Sequence, residues 1–130
     1  MVSKSKPRRA YPRHAASEHA TDRKVTQANL LFERLSVLYN VGAIYSQLAT
    51  SQSRTTAESL KRACQYFQNA AGSFEFLLTQ ANDLRLPPGT VVEDFSEPTI
   101  TSLKFLMLAQ AQECFWQKAV LGFTRLLAES

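Results

Sequence analysis

Histidines, cysteines and one pair of carboxylates are the groups in this chain that could do chemistry, and their placement argues against it. His14 and His19 fall in a basic amino-terminal stretch, which leaves the remaining residues without an imidazole to move protons near neutral pH. Glu93 and Asp94 are adjacent in a turn-forming segment with no apolar wall to push their pKa values apart, so a solvated turn is expected there rather than an acid/base pair. Cys64 and Cys114 each lie inside an amphipathic helical pattern, with no CxxC and no nearby histidine to complete a metal site. They are expected as buried thiols in a reducing compartment. Phosphate loops, dinucleotide fingerprints and nucleophile elbows are all absent from the sequence. No catalytic, metal-binding or cofactor-binding residue is nominated, and neither an enzyme nor a cofactor is expected.

A chain of 130 residues suits one small domain. Its net charge of +4 is unevenly spread, because residues 1 to 24 hold seven of the fifteen Lys and Arg against only Glu18 and Asp22. Such a basic segment, nearly free of large apolar side chains, cannot offset the entropy of ordering it, so residues 1–24 are expected as a disordered tail. A solubilising extension is one reading of that tail, and a nucleic-acid or membrane contact is the alternative. The charge is too dispersed for the alternative, and no nucleic-acid partner is expected. No apolar run is long and uncharged enough to span a bilayer, and the chain is expected to be cytoplasmic.

Three helices account for nearly everything after residue 25. The first is predicted from about Gln27 to Thr50, capped by Thr26, with Leu31, Leu35, Leu38, Gly42, Tyr45 and Ala49 along one face. Phe32, Tyr39 and Ala43 mark a second face, so this helix is expected to be buried on two sides. The second, roughly Thr56 to Leu84, has the cleanest period, through Leu60, Ala63, Cys64, Phe67, Ala70, Ala71, Phe74, Leu77, Leu78 and Ala81. Thr55 or Thr56 is its expected cap. A break at Pro87-Pro88-Gly89 precedes a third helix, which Ser96, Glu97 and Pro98 open and which runs to about Ala128. Its apolar residues, among them Leu103, Leu106, Met107, Cys114, Phe115, Val120 and Phe123, surround most of the circumference, so more than one face is expected to be buried. Ser36, Asn40, Ser46, Gln47, Gln110 and Gln112 interrupt the apolar surfaces as inter-helix hydrogen-bonding residues. Gly42 and Gly72 each cost about 1 kcal/mol against alanine inside a helix, which the close approach of a neighbouring backbone would compensate. The first two helices read as a hairpin of the tetratricopeptide type with an enlarged turn.

Three blocks carry a family resemblance: FERLSVLYNVGAIYSQLA at 32–49, LKRACQYFQNAAGSFEFL at 60–77 and LMLAQAQECFWQKA at 106–119. In order and spacing they resemble the BRO domain, the helical scaffold of ALIX, of rhophilins and of fungal PalA-type pH-response regulators. The resemblance covers about Val25 to Val120. It implies an all-α fold of three long helices, a TPR-like hairpin plus a third packed helix, as a fragment of a longer BRO-domain solenoid (residues 25–130). It also implies a non-enzymatic scaffold in endosomal sorting or ambient-pH signalling, peripheral to endosomes, whose partner is the amphipathic helix of an ESCRT-III subunit. Carried over residue by residue, the family's partner surface falls on Lys61, Phe115 and Lys118. An acidic position of that surface falls on Ala57 and an aliphatic one on Ala128, so only part of it is present. Core packing of Phe115 and a stand-alone helical-repeat adaptor unconnected with ESCRT are the competing readings, as is a truncated product without activity. Three helices cannot shield this much apolar surface, so self-association through a patch drawn from Phe32, Tyr39, Phe105, Trp116 and Phe123 is expected.

Overall fold

The computed structural model describes residues 13–83 and 95–130. Among them it holds three helices and no strand: α1 (Arg13–Ser51), α2 (Ala57–Asp83) and α3 (Glu97–Glu129). The expected turn at Pro87-Pro88-Gly89, the Glu93-Asp94 pair and the first twelve residues lie outside the described residues.

The first helix starts at Arg13 rather than near Gln27, so residues 13–24 are helical where a disordered tail was expected. Thr26 is not its cap; the Thr26 hydroxyl donates to the Asp22 carbonyl at 2.9 Å, in mid-helix. From Ser17 to Gln27 every side chain is exposed, so no packing holds this extension. Helix propagation explains it. Once the packed part of α1 exists, each further residue adds a backbone hydrogen bond without a new nucleus, and no Gly or Pro stands between residues 13 and 41 to stop it. At the other end, Thr50, Ser51 and Gln52 return side-chain hydrogen bonds to the carbonyls of Gln47 and Leu48. The connection to α2 is only residues 52–56, so the excess over a tetratricopeptide hairpin lengthens the helices and not the turn.

Thr56 caps α2. Its hydroxyl accepts from the Ser59 amide at 3.2 Å, and Ser59, the one buried polar residue among the described residues, returns its own hydroxyl to the Thr56 carbonyl at 3.0 Å. The predicted stripe is the core: Leu60, Ala63, Phe67, Ala70, Ala71, Phe74 and Leu77 are buried, with Cys64, Leu78 and Ala81 packed against them. That stripe serves two neighbours, for α2 packs against both α1 and α3. Leu31, Leu35 and Ala49 of α1 enter from one side, and Ile100, Met107, Ala111 and Cys114 of α3 from the other. Tyr45 meets Tyr66 at 6.3 Å and Tyr39 meets Phe74 at 5.8 Å between ring centroids, a descending order that makes α1 and α2 antiparallel. Gly42 lies under Phe74, whose ring atoms would be 2.8 Å from any added Cβ, so here a side chain and not a backbone makes the close approach. Nothing lies within 4 Å of such an atom at Gly72.

Burial on α3 is one-sided, which corrects the two-sided expectation, whereas on α1 the expected second face is partly covered: Tyr39 and Ala43 are half-buried, and Phe32 is exposed but meets the Phe95 ring edge-on at 5.5 Å. Outward on α1 stand Leu30, Val37, Val41, Ile44 and Leu48, all exposed. On α3 the predicted Leu106, Phe115, Val120 and Phe123 are exposed as well. Ser36 and Ser46 do not bridge helices either; their hydroxyls donate to the carbonyls of Phe32 at 2.8 Å and Ala43 at 2.7 Å in the same helix.

Candidate functional site

Lys61 follows Leu60 in the first turns of α2, at the edge of the buried stripe and exposed to solvent. On α3, Cys114 points inward at 0% exposure, and the next residue, about 100° further round the helix, is Phe115 at 61%. Lys118 comes one turn after Cys114 and is half-buried. The antiparallel register of α2 and α3, marked by the Glu75 carboxylate 3.4 Å from Lys104 Nζ, sets the first turns of α2 against residues 114 to 118. All three residues nominated from sequence therefore line one cleft of about 100 Å³. Phe115 is not part of the core that the described residues form. Ala57 opens α2, and Ala128 is exposed in the last turn of α3.

The sequence reading did not find the rest of the lining. Fully buried Leu60 and Cys114, with half-buried Cys64, give the cleft its apolar lining, while Gln65 and Gln68 give it an amide edge. Cys64, Gln65 and Gln68 follow Lys61 by three, four and seven residues, and Lys118 follows Phe115 by three and Cys114 by four, spacings that share one helix face. That signal was present, but Leu60, Cys64 and Cys114 were assigned to the core alone. Two ammonium groups border the cleft, and among the described residues no carboxylate lines it. The nearby Glu113 carboxylate is held instead by Arg54 at 3.5 Å. Burial raises the Cys114 thiol above its ordinary 9.0; Arg54 opposes the shift, and Cys64 and Glu113 add to it.

A larger cleft of about 300 Å³ adjoins across Leu60, between Arg54 and the α3 residues Trp116, Gln117, Val120, Leu121 and Thr124. None of the nominated residues reaches it. No group of three His, Cys, Asp or Glu stands together for a metal among the described residues, and no helix there is long and apolar enough to cross a membrane. The smaller cleft is built to bind: an exposed aromatic beside an apolar floor takes an apolar side chain, and the two lysines favour acidic neighbours on the same ligand.

Antiparallel helices stacked in sequence, with a small cleft between the second and third, define a helical interaction module. Residues 11–125 match the BRO1-like domain, and the chain belongs to that family. Among its relatives is the pH-response regulator protein palA/RIM20 of Emericella nidulans, 48% identical over 112 residues, which are 85% of this chain and 13% of that protein. The palA/RIM20 protein of Saccharomyces cerevisiae is 49% identical over 98 residues, 75% of this chain and 14% of the relative. The ALG-2 interacting protein X of Dictyostelium discoideum is 45% identical over 97 residues, 75% of this chain and 12% of the relative. The chain thus spans a small fraction of the length of the curated relatives it matches. No solved structure gives a significant match.

Proposed function

We propose that this chain is a protein-interaction segment of a non-enzymatic, ESCRT-associated scaffold, acting at the cytoplasmic face of endosomes in ambient-pH signalling or endosomal sorting. The names of its relatives as pH-response regulators favour the signalling role. Its partner on this reading is the carboxy-terminal amphipathic helix of an ESCRT-III subunit, docked in the α2–α3 cleft. One observation carries the proposal: Lys61 and the Phe115/Lys118 pair, on different helices, share a single cleft in which the aromatic is solvent-exposed. A ligand's apolar face that covers the exposed phenylalanine gains the free energy of removing that surface from water, while the lysines meet carboxylates at the rim.

Titrating a fluorescent peptide of that helix with the whole chain, read by anisotropy, tests the proposal. Phe115→Asp should weaken binding at least about thirtyfold, the equivalent of the ~2 kcal/mol expected at a hot spot. Lys61→Glu with Lys118→Glu should weaken it several-fold, more at low salt than at high salt. Binding undiminished by Phe115→Asp would remove the cleft from the account.

A further inference from the structure

The lining of the cleft contains both cysteines of the protein, one from each helix, and the docking reading gives them no role. Both are free thiols. Their heights along the two helices coincide. Glu75 and Lys104 pair across the interface at 3.4 Å, Cys64 lies eleven residues before Glu75, and Cys114 lies ten residues after Lys104. In antiparallel helices rising about 1.5 Å per residue, that places the two cysteines level to within about one residue. Beside them are Ala63 at 0% and Ala111 at 4% exposure, small side chains that let the two backbones approach. Packed axes about 8–10 Å apart, with Cα atoms about 2.3 Å off each axis, leave inward-facing Cα atoms roughly 3.4–5.4 Å apart, and the half-exposed Cys64 sits somewhat further from its partner than that. A disulfide spans about 4.4–6.8 Å between Cα atoms.

We propose that Cys64 and Cys114 form a reversible disulfide under peroxide and that this bond closes the cleft, making it a redox-gated docking site. The gating half rests on the cleft being the partner site; the disulfide half does not. Cys64 is half-exposed and meets the oxidant first. Its thiolate attacks hydrogen peroxide, the S–O bond forms as the O–O bond breaks, and the departing hydroxide takes up the thiol's proton as water. The Cys114 sulfur then attacks the sulfenic sulfur, the S–S bond forms as the S–O bond breaks, and the Cys114 proton leaves with the hydroxide as a second water. Two thiols are oxidised and one peroxide is reduced to two waters. The bond runs across the apolar lining between Leu60 and Phe115 and ties α2 to α3 where a ligand side chain would enter.

The test uses the whole 130-residue chain, treated with hydrogen peroxide and mapped by mass spectrometry of non-reduced peptides. The expected product is a link between Cys64 and Cys114 within one chain, lighter by two hydrogens, reversed by dithiothreitol and absent from Cys64→Ser and Cys114→Ala. The oxidised chain should bind the fluorescent ESCRT-III helix about tenfold more weakly or worse, recover on reduction, and show no peroxide effect in Cys64→Ser. Two thiols still free after peroxide, or a link only between chains, overturns the disulfide even if the helix binds. A link that leaves affinity unchanged overturns the gating alone. A link in a chain that binds the helix in neither state overturns the gating together with the docking reading, while the disulfide stands.

Discussion

Gly42 sits where the ring of buried Phe74 leaves no room for a methyl group, whereas Gly72 faces open space. The same substitution should therefore have opposite signs. Alanine at either site regains up to about 1 kcal/mol of helix propensity. At position 42 it must also displace a core ring already packed edge-on against Tyr39, an overpacking cost of about 1–3 kcal/mol. Urea unfolding should show Gly42→Ala destabilised by about 1 kcal/mol and Gly72→Ala stabilised by roughly 0.5–1 kcal/mol; equal signs would contradict the packing described. That Gly42 needs a close neighbour could be read from its place in a helix, but its identity could not, because it depends on the register of α2. The serines show the opposite limit. Ser36 and Ser46 look like inter-helix residues by position, yet a hydroxyl can always reach a carbonyl one turn back in its own helix. Lys61, Phe115 and Lys118 meet only through tertiary structure, so the family resemblance nominated them where spacing alone could not.

The second helix was the most legible element because its stripe is broad and unbroken, and a helix in the middle of a stack buries what its pattern displays. The flanking helices were misjudged on the same logic. Their apolar residues also cover several faces, but among the described helices each packs closely only on α2, and pattern does not count neighbours. The amino-terminal extension of α1 carries no packing signal in the sequence, because continuation of an existing helix orders it without burial. Caps are local and were read more closely: Thr55 and Thr56 were both candidates for α2, and Thr56 holds the Ser59 amide. Thr56→Ala should cost about 1 kcal/mol, with a lower thermal midpoint, because it orphans that amide and leaves the buried Ser59 hydroxyl one partner fewer. Thr55→Ala, whose hydroxyl contacts only the exposed Ser53, should change the midpoint little. Equal losses at the two positions would displace the cap.

Across the molecule, two helix faces have no neighbour among the described residues. Leu30, Val37, Val41, Ile44 and Leu48 recur at intervals of seven, four, three and four along the outside of α1, the seam spacing of a coiled coil. Phe105, Trp116 and Phe123 are exposed on α3, as expected, and so is Phe32; Tyr39 is not, being packed on Phe74 and Phe95. Contiguous apolar surface of this kind marks an interaction face. Sedimentation velocity at micromolar concentration should show concentration-dependent association, reduced by Val41→Glu with Ile44→Glu; a monomer at all concentrations would mean the apolar faces are tolerated alone. The central claim, that the α2–α3 cleft and not these faces receives the partner, is tested most directly by mapping amide chemical shifts of the labelled chain as the ESCRT-III helix is added. Shifts should concentrate at Lys61, Cys64, Gln68, Phe115 and Lys118. Shifts concentrated on the outer face of α1, from Leu30 to Leu48, or no shifts at saturating peptide, would contradict it.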